Sequence, residues 1–283
     1  MSDSFKDDAG TARVRLLGTL ALKQATDAFP WYDAGWLRQY VAALRLIEQV
    51  RPSLRADFVA AFARLRTSPD FRVRKLDRVF DDEVMATIRR TISELAASKL
   101  ETHEVEGFGR SVVHDHELFN HLHRTLVPTA SELAGEAVEP AYNFLSLYTD
   151  VGVCQPHMDM PLSKWTLDLC IDQSNVWPIH FSQVVPWPET SSFSTDDWQE
   201  RIKTSPDLKY SSWELRPGEA LWFSGSSQWH YRDRMPGASM ESFCNLLFFH
   251  FLPAGMSTIV EPRNWPGLFG LPELKSVVDP LSF

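Results

Sequence analysis

His157 and Asp159 stand two residues apart in Gln155-Pro156-His157-Met158-Asp159-Met160, and His230 follows the first histidine by 73 positions in another strand-like segment. Residues i and i+2 of an extended strand share a face, so one imidazole and one carboxylate can meet the same metal ion if a third ligand arrives from elsewhere. Two histidines and a carboxylate on one face of an octahedron leave three positions open, a donor set suited to non-haem Fe(II) and oxygen chemistry. His250, in Phe248-Phe249-His250-Phe251, and His180, in Trp177-Pro178-Ile179-His180, compete with His230 for the third position. A separate cluster, His114, His116, His121 and His123, would pair His114 with His121 and His116 with His123 on helix faces in a way that suits zinc. With no nearby cysteine and no i, i+4 pair, its spacing favours a solvated polar face.

Such a trio needs a scaffold, and the chain changes character near Pro140. Before that point the apolar residues recur at helical intervals: Trp36, Tyr40, Leu44 and Ile47, then Val84, Ile88, Ile92 and Leu95. Asp81 and Asp82 mark a helix start after the apolar stretch Leu76 to Phe80, which predicts a short strand leading into a long helix. Beyond Pro140 the segments shorten and become rich in aromatic and β-branched residues: Tyr142 to Tyr148, Trp165 to Ile171, Trp177 to Val185, Glu219 to Phe223 and Phe243 to Leu252. Pro and Gly punctuate them, which predicts an all-β unit of roughly eight strands. The expected organisation is a helical segment over 1–71 and a β-rich domain over 72–283. A polar insertion at 186–212 is too long for a hairpin connection and is placed as a lid or a surface excursion.

Composition narrows the function. With 283 residues, 44% of them hydrophobic, the chain can bury a large core without staples. Its net charge of −9 and lack of a basic run argue against a nucleic-acid or anionic-lipid surface. Cys154, Cys170 and Cys244 are odd in number and lack CxxC spacing, which fits a reducing, cytoplasmic setting. The polar, acidic stretch Met1 to Gly10 and the absence of an apolar run of membrane length predict a protein neither secreted nor embedded in a membrane.

The string from Tyr142 through His157-Met158-Asp159, Thr166-Leu167-Asp168-Leu169, Trp177-Pro178-Ile179, Pro217-Gly218-Glu219-Ala220, His230-Tyr231-Arg232-Asp233 and Leu247 to Phe251 resembles the Fe(II)/2-oxoglutarate-dependent oxygenases. It is closest to their prolyl-hydroxylase-like branch, and the resemblance covers about residues 72 to 253. It implies an α+β, mainly β fold, a double-stranded β-helix or jelly roll with amino-terminal and supporting helices. It also implies His157, Asp159 and His230 as iron ligands, with Fe(II), 2-oxoglutarate and O₂ as cofactor and cosubstrates and room for ascorbate. Hydroxylation with release of succinate and CO₂ is the default outcome. Because position 159 is Asp rather than Ala or Gly, the resemblance points to hydroxylation, desaturation or ring formation and away from halogenation.

Relatives carry a cation for the distal carboxylate of 2-oxoglutarate at the place that here falls on Ser239, Met240 and Glu241. Arg232 is the substitute, since it shares a strand face with His230 and its planar fork suits a carboxylate; Arg234 and Lys164 are the next candidates. Tyr148 matches a tyrosine that lines the cosubstrate pocket in such enzymes, and it could equally serve as a core aromatic. The expected substrate is a small molecule, an amino acid or a natural-product intermediate. A protein hydroxylase of prolyl type and a jelly-roll binding protein without catalysis are the alternatives. The amino-terminal helices could cap the barrel or form a homodimer interface through Trp36 and Tyr40.

Overall fold

The structure is a computed structural model that describes residues 3–189, 197–237 and 239–279; positions 190–196 of the expected lid lie outside the described residues. The chain divides into two compact units, one of 1–66, 186–201 and 255–283, the other of 67–185 and 202–254. The boundary expected at 71/72 therefore falls at 66/67. Residues 186–201 and 255–283, expected with the β-rich domain, group instead with the amino-terminal helices.

The first unit contains α1 (Asp3–Ala28), α2 (Gly35–Val50) and α3 (Arg55–Ala61), with short helices at Trp265–Leu268 and Lys275–Val278. The apolar stripe of α2 buries Trp36, Tyr40, Leu44 and Ile47, as its periodicity predicts. Trp36 stacks on Tyr40 at 5.3 Å and donates its indole N–H to the Val260 carbonyl at 2.6 Å. Arg66 donates to the Tyr40 hydroxyl at 2.8 Å, and Phe62, Trp187 and Trp265 meet Trp36 edge-on. Trp187, Val260 and Trp265 thus cover the stripe, so Trp36 and Tyr40 are interior residues of their unit rather than the exposed residues an interface through them would need. Helix α1 passes Lys275–Val278 so closely that a Cβ on Gly18 would lie 2.1 Å from Ser276 Oγ.

The second unit carries the remaining long helices and the strands. Its helices are α4 (Asp82–Ser93), α5 (Val105–Phe108), α6 (Glu117–Thr125) and α7 (Val127–Ala134). Asp81 caps α4 by accepting from the Val84 N–H at 2.9 Å, the start its sequence signals. The strands are β1 (Arg74–Leu76), β2 (Arg110–His114), β3 (Val138–Tyr148), β4 (Cys154–His157), β5 (Trp165–Gln173), β6 (Ile179–Phe181), β7 (Ser211–Trp213), β8 (Ala220–Phe223), β9 (His230–Arg232) and β10 (Cys244–Pro253). They form two antiparallel sheets, one in the order β1-β8-β5-β10-β3-β2 and one in the order β4-β9-β6-β7. Overall, helix (42%) exceeds strand (21%), which corrects the expectation of a mainly β chain; the helices of 1–66 and those packed on the large sheet account for it.

Strand alternation sorts the side chains of the large sheet. Leu145, Leu167, Leu169, Leu247 and Phe249 join Met85 and Ile88 of α4 and Phe119 and Leu122 of α6 in one apolar cluster. Tyr148, Cys170, Leu221, Phe223, Cys244 and Leu246 point the other way and pack with Cys154, Ile179 and Phe181 of the small sheet. The two sheets thus face each other across a second interior. The histidine cluster does not form one solvated face: His121 is exposed, whereas His123 on α6 is buried and its ring meets the His250 carbonyl at 2.9 Å. Among the described residues no helix is long and apolar enough to cross a membrane.

Candidate metal centre and its surroundings

His157 and His230 are direct cross-strand partners of β4 and β9, with ring centroids 4.2 Å apart. Strand β4 ends at His157, so Asp159 is not placed by strand alternation as its spacing suggested. Its backbone N–H instead donates to the Gly225 carbonyl at 2.9 Å, which turns the chain back over the pair. Gly225 is required for that approach, because a Cβ there would lie 2.1 Å from Asp159 Oδ2. Asp159 Oδ1 then stands 3.4 Å from His157 Nε2 and 3.6 Å from His230 Nε2. The three side chains offer one ligand atom each, all within 4.8 Å of one another, and could hold a metal ion.

The outer nitrogens of both rings fix which edge faces the centre. His157 Nδ1 lies 2.8 Å from the Gln155 carbonyl and His230 Nδ1 lies 3.0 Å from the Gln228 carbonyl. A carbonyl oxygen only accepts, so each Nδ1 is a donor and each ring turns its Nε2 towards Asp159. Burial opposes charge on His157, but Cys154 and Asp159 outweigh it and hold its pKa well above the ordinary value, so a metal ion would take the place of a proton on that Nε2. Burial pushes the Asp159 carboxyl up, but His230 and His157 outweigh this and hold it well below the ordinary carboxylate range. Burial, helped by His157, draws His230 down to about 4, which keeps it a neutral donor. The donor set therefore fits a divalent ion that accepts nitrogen and oxygen.

The rival histidines stand apart from this group. His180 pairs across from Tyr231, next in register to the Phe181–His230 pair, so the pleat turns it away from the centre. Its ring contacts Ser212 Oγ at 2.7 Å and stacks on Tyr231. His250 meets Thr166 Oγ1 at 3.0 Å through Nδ1 and stacks on Tyr142 at 4.3 Å. Near-parallel rings continue from it, Phe144 stacking on Phe248 at 4.9 Å, so this side of the large sheet presents a row of aromatics.

The expected cations meet different fates. Arg234 is exposed, and Lys164 is buried but paired with Glu136 at 2.6 Å and set against the Trp165 ring. Arg232 is buried in an interior ion pair: Nη2 donates to Asp168 Oδ2 at 2.7 Å and Nη1 to the Trp177 carbonyl. Tyr148 is buried, with its ring edge-on to Trp177 at 4.8 Å. Its hydroxyl accepts at 2.7 Å from a second buried guanidinium, Arg110 of β2, which sequence reasoning missed. The available signal was an arginine on the face of β2 shared with Val112. Cys154 links this cluster to the trio: its thiol is 3.8 Å from His157 Nδ1, and against burial His157 first, then Arg110 and Arg232, lower its pKa.

No family model matches the chain, and no curated protein matches it. Among solved structures, HygX from Streptomyces hygroscopicus, with nickel, 2-oxoglutarate and hygromycin B bound, is similar at 14% identity and a TM-score of 0.49, over 65% of this chain and 83% of that one. SnoN, a non-heme alpha ketoglutarate dependent epimerase from nogalamycin biosynthesis, is similar at 15% identity and 0.46, over 75% and 90%. EctD from S. alaskensis, with bound Fe, is similar at 14% and 0.46, over 70% and 76%. Likenesses this loose do not carry a reaction or a substrate over to this chain.

Proposed function

We propose that this chain is an Fe(II)- and 2-oxoglutarate-dependent oxygenase of the prolyl-hydroxylase-like branch, built on a jelly roll, that hydroxylates a small molecule in the cytoplasm. The observation that carries the proposal is the convergence of His157 Nε2, His230 Nε2 and an Asp159 oxygen, with both Nδ1 atoms tied to carbonyls. Bound there, iron and 2-oxoglutarate supply oxidative decarboxylation to succinate and CO₂ together with oxygen transfer to a C–H bond. The protein's part is positional. His157 and His230 present lone pairs from adjacent strands, Gly225 holds Asp159 over them, and Asp159 lowers the charge of the centre.

The buried Arg110, Arg232 and Tyr148 provide the positive potential and donors that a dicarboxylate requires. A small substrate is favoured over a polypeptide because the chain shows no repetitive or strongly charged peptide-binding tract. Anaerobic titration with Fe(II) and then 2-oxoglutarate tests the proposal. A weak visible charge-transfer band should appear in the green, and Asp159→Ala should remove or alter it; a protein that binds neither leaves a non-catalytic binding module as the better description.

A further inference from the structure

Of the two buried guanidiniums beside the trio, we propose that Arg110, and not Arg232, takes the distal carboxylate of the dicarboxylate cosubstrate, with the Tyr148 hydroxyl as the second donor. This rests on the cosubstrate proposed above. The two arginines differ in what already holds them. Arg232 donates from both terminal nitrogens, to Asp168 Oδ2 at 2.7 Å and to the Trp177 carbonyl. Asp168 sits mid-strand in β5, flanked in register by Phe248 of β10 and Leu221 of β8, and is fully buried. Turning Arg232 to a ligand would leave that carboxylate buried without its cation, a strongly unfavourable state. Asp168 Oδ1 already lacks a hydrogen-bond partner among the described residues, so Arg232 is its essential counter-charge.

Arg110 is held from the side. Its Nε donates to Glu104, and its Nη1 donates to the Tyr148 hydroxyl at 2.7 Å and to Ser146 Oγ at 3.4 Å. Among the described residues Nη2 makes no hydrogen bond, so two N–H groups remain to give. The Tyr148 oxygen accepts from Arg110, and its own hydrogen, shared with Ser146 beside it, can turn to a ligand oxygen. Burial raises the pKa of Tyr148 and keeps it a neutral donor. The rings of Phe108, Tyr148 and Phe144 lie 4.8, 5.3 and 5.4 Å from the guanidinium carbon, walls that exclude water and strengthen a charge-assisted bond. A planar fork with one edge satisfied and a terminal nitrogen open, beside a phenol, matches one carboxylate end of a dicarboxylate.

The test compares 2-oxoglutarate with 2-oxopentanoate, which has the same chain length and metal-chelating end but no distal carboxylate. Both are titrated anaerobically into the Fe(II)-loaded protein, following the charge-transfer band. Arg110→Gln should weaken 2-oxoglutarate on the order of 100-fold, the scale of losing charged hydrogen bonds, and leave 2-oxopentanoate unchanged. Arg232→Gln should change both acids alike. Should Arg110→Gln not fold, Tyr148→Phe keeps the ring and should weaken 2-oxoglutarate by roughly 10-fold with no effect on 2-oxopentanoate. Equal effects of the Arg110 or Tyr148 variants on both acids, or selectivity lost with Arg232→Gln instead, would overturn the assignment to Arg110. A wild-type protein that gives no band with either acid overturns the proposed cosubstrate itself.

Discussion

Both units bury many aromatic rings, but they treat the polar atoms among them differently. In the helical unit the aromatic cluster puts its polar handles to use: Trp36 donates to Val260, Trp265 to Ile259, and Tyr40 accepts from Arg66. In the sheet unit, Asp168 Oδ1, His250 Nε2, Asn143 Oδ1 and Trp222 Nε1 are buried without a hydrogen-bond partner among the described residues. An unsatisfied buried polar atom costs on the order of 1–3 kcal/mol, so these atoms of the sheet unit carry a cost that the aromatic pairs of the helical unit do not. Ten Trp and eighteen Phe look alike in a composition. Their neighbours decide which of them hold the fold and which surround the site.

That contrast can be broken most directly at the trio. Asp159→Ala should abolish iron retention, measured by metal analysis after gel filtration, while leaving the far-ultraviolet circular dichroism unchanged. Trp265→Ala in the other unit should do the reverse, costing about 3–5 kcal/mol in urea unfolding with iron retention intact, because it empties a fully buried site. Gly225→Ala sharpens the comparison without touching a ligand. The added methyl collides with Asp159 and should weaken metal binding by roughly 10–100-fold, the scale seen when groups that orient ligands are disturbed.

Acid should act through the sheet unit. Burial lowers His123 to about 4 and His250 to about 3, from an ordinary 6.5. Between 6.5 and those values the unfolded chain binds protons that the folded chain refuses. The contribution of these two rings is therefore complete above 6.5 and falls as the pH drops through that window, by about 1.4 kcal/mol per pH unit for each proton. Urea unfolding of this unit at pH 7, 5.5 and 4.5 checks the slope, and His123→Gln should flatten it. The smallest effect is expected at Phe144→Leu, below about 1.5 kcal/mol because volume is nearly kept, read as a small shift in the same unfolding midpoint.

The order of residues alone was enough to single out the trio His157, Asp159 and His230, the Asp81-capped helix α4, the apolar stripe of α2 and the long strands β3, β5 and β10. Each is written in neighbours a few positions apart, where helical period, strand alternation and capping operate. Tertiary structure decided the rest. It seated Asp159 by a bond to Gly225 rather than by strand geometry, and it covered Trp36 and Tyr40 with segments from 186–201 and 255–283. It also locked Arg232 to Asp168 and brought Arg110 against Tyr148. These outcomes depend on cross-strand register and on burial between positions far apart in the chain. No local spacing encodes them, since whether a buried charge is strut or ligand depends on which opposite charge the fold sets beside it.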